Sequence, residues 1–160
     1  MNFVTFVVVV VLMVAVARVS STEVESCKKG RKLSDLNDRV KIGNCKKPPC
    51  RLRKNTSIQF SLRFNTEGPV ESLQNSVKAR IAGLDLPFVG VDGVDACNNI
   101  YEQDGTTKAK CPLAAGKEYI YKNTIDVLQI YPSVKTTVHW GLESPSGDVI
   151  CFEVPARITN

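Results

Sequence analysis

Apolar and polar residues alternate with a period of two through most of this chain. From Ser57 to Phe64, Ile58, Phe60, Leu62 and Phe64 fall on one side of an extended segment, and Ser57, Gln59, Ser61 and Arg63 on the other. Val77, Ala79 and Ile81 alternate with Lys78 and Arg80. The rhythm continues from Tyr119 to Ile130, and from Val134 to Leu142 with Val138, Trp140 and Leu142 aligned. It ends with Val149 to Ile158, where Ile150, Phe152, Val154, Ala156 and Ile158 share a face. Extended backbone sends successive side chains to opposite sides, so each run predicts a strand with one dry face. Gly, Pro, Asn and Asp separate the runs, and "ESPSGD" closes the last two into a hairpin. Short strands with single apolar faces predict an all-β antiparallel sandwich. No segment of the body sustains a helical period, so helix content should be low.

Two stretches depart from this pattern. Phe3 to Ala17 is an apolar run interrupted only by Thr5, but at ~1.5 Å per residue it makes a helix of roughly 22 Å, short of the ~30 Å bilayer core. With Arg18 and Ser20-Ser21-Thr22 behind it, the run reads as a cleaved signal peptide over residues 1–21, cut between 17 and 22. Residues 22–160 then form one domain of ordinary size. The second stretch is "GLDLPFVGVDGVDAC", residues 83–97. It is too apolar for a solvated loop, yet Pro87, Gly90 and Gly93 break any long strand. Such a loop packs beneath itself or covers the opening of an apolar cavity, and composition favours packing.

A leader makes the cysteine count informative. Cys27, Cys45, Cys50, Cys97, Cys111 and Cys151 all follow it, and an even number in a secreted chain predicts three disulfides, with about 15 pairings open. Zinc is disfavoured, because no Cys-x-x-Cys pair exists and His139 is the sole histidine. No metal or cofactor is expected. Asn55-Thr56-Ser57 is an N-glycosylation sequon. The formal net charge is +5, with the densest basic stretch, "CKKPPCRLRK", at Cys45 to Lys54. It reads as a solvated hairpin more readily than as a polyanion or membrane patch.

Catalytic arrangements are hard to assemble. Period two sends His139 to the face opposite Trp140, toward solvent, and oxidised cysteines offer no thiolate. Asp92, Asp95, Glu102 and Asp104 are close in sequence, but in polar surroundings that would not raise a carboxyl pKa. Neither a phosphate-binding glycine loop nor aromatic and basic interleaving for nucleic acid is present. A non-enzymatic protein without a nucleic-acid partner is the expectation.

Six stretches in order with the cysteines, "PPCRLRKNTSIQF", "DLPF", "DAC", "CPLAAGKEYIYKNTIDV", "YPSVKTTVHWGL" and "ICFEVPARI", resemble the ML (MD-2-related lipid-recognition) domain, within it the secreted Niemann-Pick type C2 branch. The likeness spans residues 24–158. It implies an immunoglobulin-like sandwich of about seven strands with an apolar cavity between the sheets. It also implies the pairings Cys27 with Cys151, Cys45 with Cys50, and Cys97 with Cys111. The family's lipid-contacting positions fall on Phe88, Val127 and Tyr131, and its inward strand positions on Ile58, Phe60, Val138, Trp140 and Phe152. Each strand residue has an equally simple reading as ordinary core.

The resemblance implies a secreted carrier, extracellular or endolysosomal and monomeric, that binds a sterol, fatty acid or other small apolar ligand. It would transfer that ligand at a membrane surface or membrane receptor. Innate-immune recognition of a bacterial glycolipid is the alternative, with Lys108 and Lys110 as cations at the mouth, and carriage of small semiochemicals is another. Two departures stand out: the glycine-rich "PFVGVDGVDAC", and the thirteen residues Asn98 to Lys110 between Cys97 and Cys111, longer than the family's usual loop.

Overall fold

The computed structural model describes residues 21–29 and 31–160. The signal-peptide run lies outside the described residues, except for its last position. None of the described helices is long and apolar enough to cross a membrane.

Ten strands in two sheets make up the described fold. β1 (Glu25–Ser26), a single helical turn α1 (Leu36–Arg39), β2 (Val40–Ile42) and β3 (Cys50–Arg53) precede the long β4 (Thr56–Asn65). β5 (Gln74–Ile81), β6 (Leu84–Pro87), β7 (Ile100–Tyr101), β8 (Glu118–Val127), β9 (Lys135–Ser144) and β10 (Gly147–Thr159) follow. The five expected runs are the five long strands. One sheet runs β1-β10-β9-β5-β6, with β3 also on β10, and the other runs β2-β4-β8-β7. All ladders are antiparallel except one: β3 lies parallel to β10, with Ala156 opposite Cys50 and Thr159 opposite Arg53. The Cys45–Cys50 bridge reverses the chain after β2 and hands β3 to the opposite sheet. All three disulfides join the pairs the resemblance implies.

Register decides what faces the interior. Trp140 stands directly between Phe152 on β10 and Val77 on β5, so three strands present apolar groups to one layer. At the end of the sandwich near β7, Leu62, Phe64, Leu73, Leu113, Leu142 and Ile150 are fully buried and form a closed core.

Three expectations need correction. The Tyr119 to Ile130 run leaves the sheet at Val127, because its partner β4 begins at Thr56 and offers nothing beyond. Leu128 O accepts from Tyr131 N at 3.2 Å in the turn that follows, and Ile130 is 77% exposed. Residues 83–97 divide rather than pack as a whole. Leu84 to Pro87 add an exposed edge strand to β5, Phe88 and Val91 turn inward, and Val89 and Val94 stay exposed. A strand at a sheet edge has no neighbour to cover its outer face. Residues 98–110 form a hairpin that is largely exposed, with Glu102 N on Thr107 O, Ala109 N on Ile100 O, and Ile100 and Ala109 buried at its base. His139 is half-buried rather than solvated, its Nδ1 3.6 Å from Cys27 Sγ and 3.9 Å from Glu153 Oε1. The N-terminal segment bridged to β10 by Cys27 covers that face.

Candidate functional site

At the opposite end of the sandwich the sheets enclose an apolar space. β4 contributes Ile58 and Phe60, β8 Ile125 and Val127, and β9 Val138 and Trp140. β10 adds Phe152, Val154 and Ala156, and Phe88 approaches from the loop after β6. Ile42, Cys50, Leu52 and Val77 complete the wall. None of these fourteen residues carries a charge, a carboxamide or a hydroxyl, so the wall offers dispersion and dry surface.

Aromatic rings form its floor. Phe60 crosses the gap from one sheet and stacks on Trp140 of the other, centroids 4.3 Å apart and planes at 24°, with Phe152 5.8 Å away. Beneath them the Tyr121 hydroxyl donates to Asn75 Oδ1 at 2.7 Å and accepts from Asn123 Nδ2 at 2.7 Å. Burial pushes the Tyr121 phenol up to about 12, against the opposing pull of these hydrogen bonds. The free space above the floor is only about 40 Å³. That admits little more than water, whereas pockets for drug-sized ligands run to ~300–1,000 Å³. Admitting such a ligand therefore requires the wall to part.

Two features border it. At the first, Phe88 meets the edge of Tyr131 at 5.4 Å and 72°, and Val89 N donates to the Tyr131 hydroxyl at 3.0 Å. Tyr131 is not itself in the wall; it holds the loop that carries Phe88. The second is an open groove of about 1,280 Å³ that shares Ile42, Cys50, Leu52, Ile58 and Phe60 with the apolar space. Its rim carries Lys41, Lys46, Lys47, Arg51 and Lys122 and no carboxylate. It is wide because β2 pairs only with Phe60 to Leu62 of β4, leaving the first residues of β4 without a neighbour on that side. The basic hairpin is thus solvated outside, with Cys50 and Leu52 buried within.

Of the eight residues singled out from sequence, seven converge on the wall and Tyr131 sits against Phe88. Val77, Val154 and Ala156 were on apolar faces by alternation, but nothing distinguished them from core. Ile42 and Leu52 escaped because strands of three and four residues show no period. The suggested cations at the mouth are elsewhere. Lys108 donates to Asn98 O at 2.5 Å over the Tyr101 ring, and neither it nor Lys110 lines the space.

The four candidate carboxylates hold loops. Asp92 Oδ1 accepts from Val77 N at 2.7 Å, Asp95 from Asn98 Nδ2 at 2.9 Å, and Glu102 pairs with Lys117 at 2.7 Å. Asp104 accepts from the Thr107 hydroxyl and from the backbone of Thr106 and Thr107, which hold its carboxyl down to about 2. That is the reverse of what a general acid needs.

The fold and the site define a disulfide-bridged β-sandwich built around an inter-sheet apolar space. The profile of the ML domain matches residues 21–158, and the chain belongs to that family. NPC intracellular cholesterol transporter 2 homolog a of Drosophila melanogaster is 34% identical over 123 residues, 75% of this chain and 78% of that one. NPC intracellular cholesterol transporter 2 of Mus musculus is 26% identical over the full length of both chains. The crystal structure of a Niemann-Pick type C2 protein from Japanese carpenter ant shares the fold, with a TM-score of 0.66 at 22% identity, covering 86% of this chain and 99% of that one.

Proposed function

We propose that this protein is a secreted, non-enzymatic carrier that takes a sterol or related lipid between its sheets and passes it on at a membrane. The observation that carries this reading is the wall: fourteen converging residues without a formal charge, in a family whose relatives here include cholesterol transporters by name. Burial at ~25 cal/mol per Å² drives uptake without a charged anchor. Phe88, Val127, Ile58, Phe60, Val138, Trp140 and Phe152 would touch the ligand, and Tyr131 would govern entry through its hold on the Phe88 loop. The five cations of the groove would orient the carrier on an anionic membrane surface.

We further read the chain as a monomer with its leader removed ahead of Thr22. Thr22 is fully buried, its N on Val40 O and its hydroxyl accepting from Ile42 N, so a cut beyond it would loosen β2. Asn55 is exposed in the β3–β4 turn at φ 58°, which leaves the sequon open to glycosylation.

Mass spectrometry of the organic extract of the secreted protein, with a fluorescent-sterol titration alongside, tests the carrier reading. A stoichiometric sterol displaced by the probe is the expected result. Fatty acid without sterol uptake would change the ligand class, and a protein that takes up no apolar probe would end the carrier reading.

A further inference from the structure

The large apolar side chains left exposed among the described residues are not scattered. They are Leu84, Leu86, Val89, Val94 and Ile130, and all but Ile130 lie on either side of Phe88 in one stretch of chain. Ile130 precedes Tyr131, whose hydroxyl accepts from Val89 N. Exposed apolar groups gathered in one place mark a contact with something apolar. Register shows what Leu84 and Leu86 continue. Residues two apart on a strand share a side, and the Phe88 N bond to Val77 O at 2.9 Å carries the β5–β6 ladder one residue past Pro87. Leu84, Leu86 and Phe88 therefore point the same way. Phe88 is in the wall of the apolar space at 6% exposed, whereas Leu86 is 44% and Leu84 65% exposed. Across the sheet, Val154, Val138, Ala79 and Leu86 stand directly opposite one another in turn. Opposed residues project to one face, and Val154 and Val138 are wall residues. Wall and edge strand are thus one apolar surface, enclosed at its inner part and bare at β6.

Resting on the carrier reading, we propose that Leu86 and Leu84 form an outer subsite for the cargo: a lipid whose hydrocarbon chain outgrows the inter-sheet space lays that chain over β6. At ~3.3 Å per residue the track runs roughly 13 Å from Phe88 to Leu84. The enclosed space is only about 40 Å³, so every methylene kept inside forces the sheets further apart. A methylene laid on Leu86 and Leu84 forces nothing, and its burial still raises affinity, by up to about fourfold when complete. The subsite extends the cargo from compact sterols to elongated acyl lipids.

Lauric and stearic acids, titrated into the native protein and into the double variant Leu84→Thr/Leu86→Thr with a fluorescent sterol alongside, test this subsite. Both leucines are exposed on an edge strand and threonine suits extended backbone, so the variant should fold. Stearic acid should bind the native protein at least about tenfold tighter than lauric acid, and the double variant should cut that ratio to about threefold or less. Val94→Thr is the control, because Val94 is exposed but its carbonyl accepts from Asn75 N, away from the track; it should leave the ratio as it was. A ratio near one in the native protein, a ratio unchanged in the double variant, or failure of both acids to bind would overturn the subsite. Sterol uptake in any of those cases would leave the carrier reading standing, and loss of sterol and acids alike from the native protein would remove both. A double variant that keeps the ratio but loses vesicle binding, or turns a dimer into a monomer, would assign the leucines to a membrane or to a second copy and overturn the proposal.

Discussion

Phe60 and Phe88 both lie in the wall, yet they should respond differently to truncation. Phe60 spans the sheets and stacks on Trp140, so Phe60→Ala opens a void between two rigid ladders and should cost about 3–5 kcal/mol of stability. Phe88 rides on a loop with Gly90 and Gly93 at φ 76° and 74°, which can collapse into the gap. Phe88→Ala should therefore cost less than half as much, while weakening lipid binding by about tenfold or more. Tyr131→Phe removes only the acceptor for Val89 N, whose residue is exposed. It should leave the melting temperature nearly unchanged and speed ligand release about three- to tenfold. Stopped-flow displacement and thermal unfolding on the same variants would check all three, and equal losses of binding and stability in Phe88→Ala would remove it from the site.

The hairpin of residues 98–110 shows how an element can be held by one carboxylate. Asp104 organises the turn only when ionised, because it accepts three hydrogen bonds and donates none. Its folded pKa is depressed to about 2 from 3.8, so its contribution is fully present above about 4 and fades as pH falls toward 2. The Thr106 and Thr107 amide resonances should titrate together near pH 2, and Asp104→Asn should abolish that titration while keeping an oxygen acceptor. Cys97–Cys111 ties the base of the same hairpin, so the melting should stay local.

For the molecule as a whole, the small size of the cavity sets the binding behaviour. Free space of about 40 Å³ means that uptake of a lipid moves the two sheets apart at one end, while the solid core holds the other. A ligand that binds only the folded state at about 100 times its Kd should add about 2.7 kcal/mol to the stability of the protein, read as a rise in melting temperature with ligand concentration. None of the five groove cations is in an ion pair among the described residues. Binding to anionic vesicles should therefore fall steeply between 0.05 and 0.5 M salt, roughly a threefold change in Debye length, and neutral vesicles should show little of either effect.

The sequence by itself determined the sandwich, its five long strands and which of their faces are dry. Period two is a local property of extended backbone, legible one strand at a time from residues such as Phe60, Trp140 and Phe152. It left the cysteine pairing open, and it did not distinguish a wall from a core, because Val138 and Leu142 obey the same alternation with opposite fates. Tertiary structure decided that difference: β8 stops where β4 runs out, β2 is too short to cover the start of β4, and a loop delivers Phe88 to the gap. It also decided that the indole of Trp140 is buried without an acceptor while the Tyr121 hydroxyl nearby has two partners. Neither is encoded in spacing, since hydrogen bonding depends on which distant strands the register brings together.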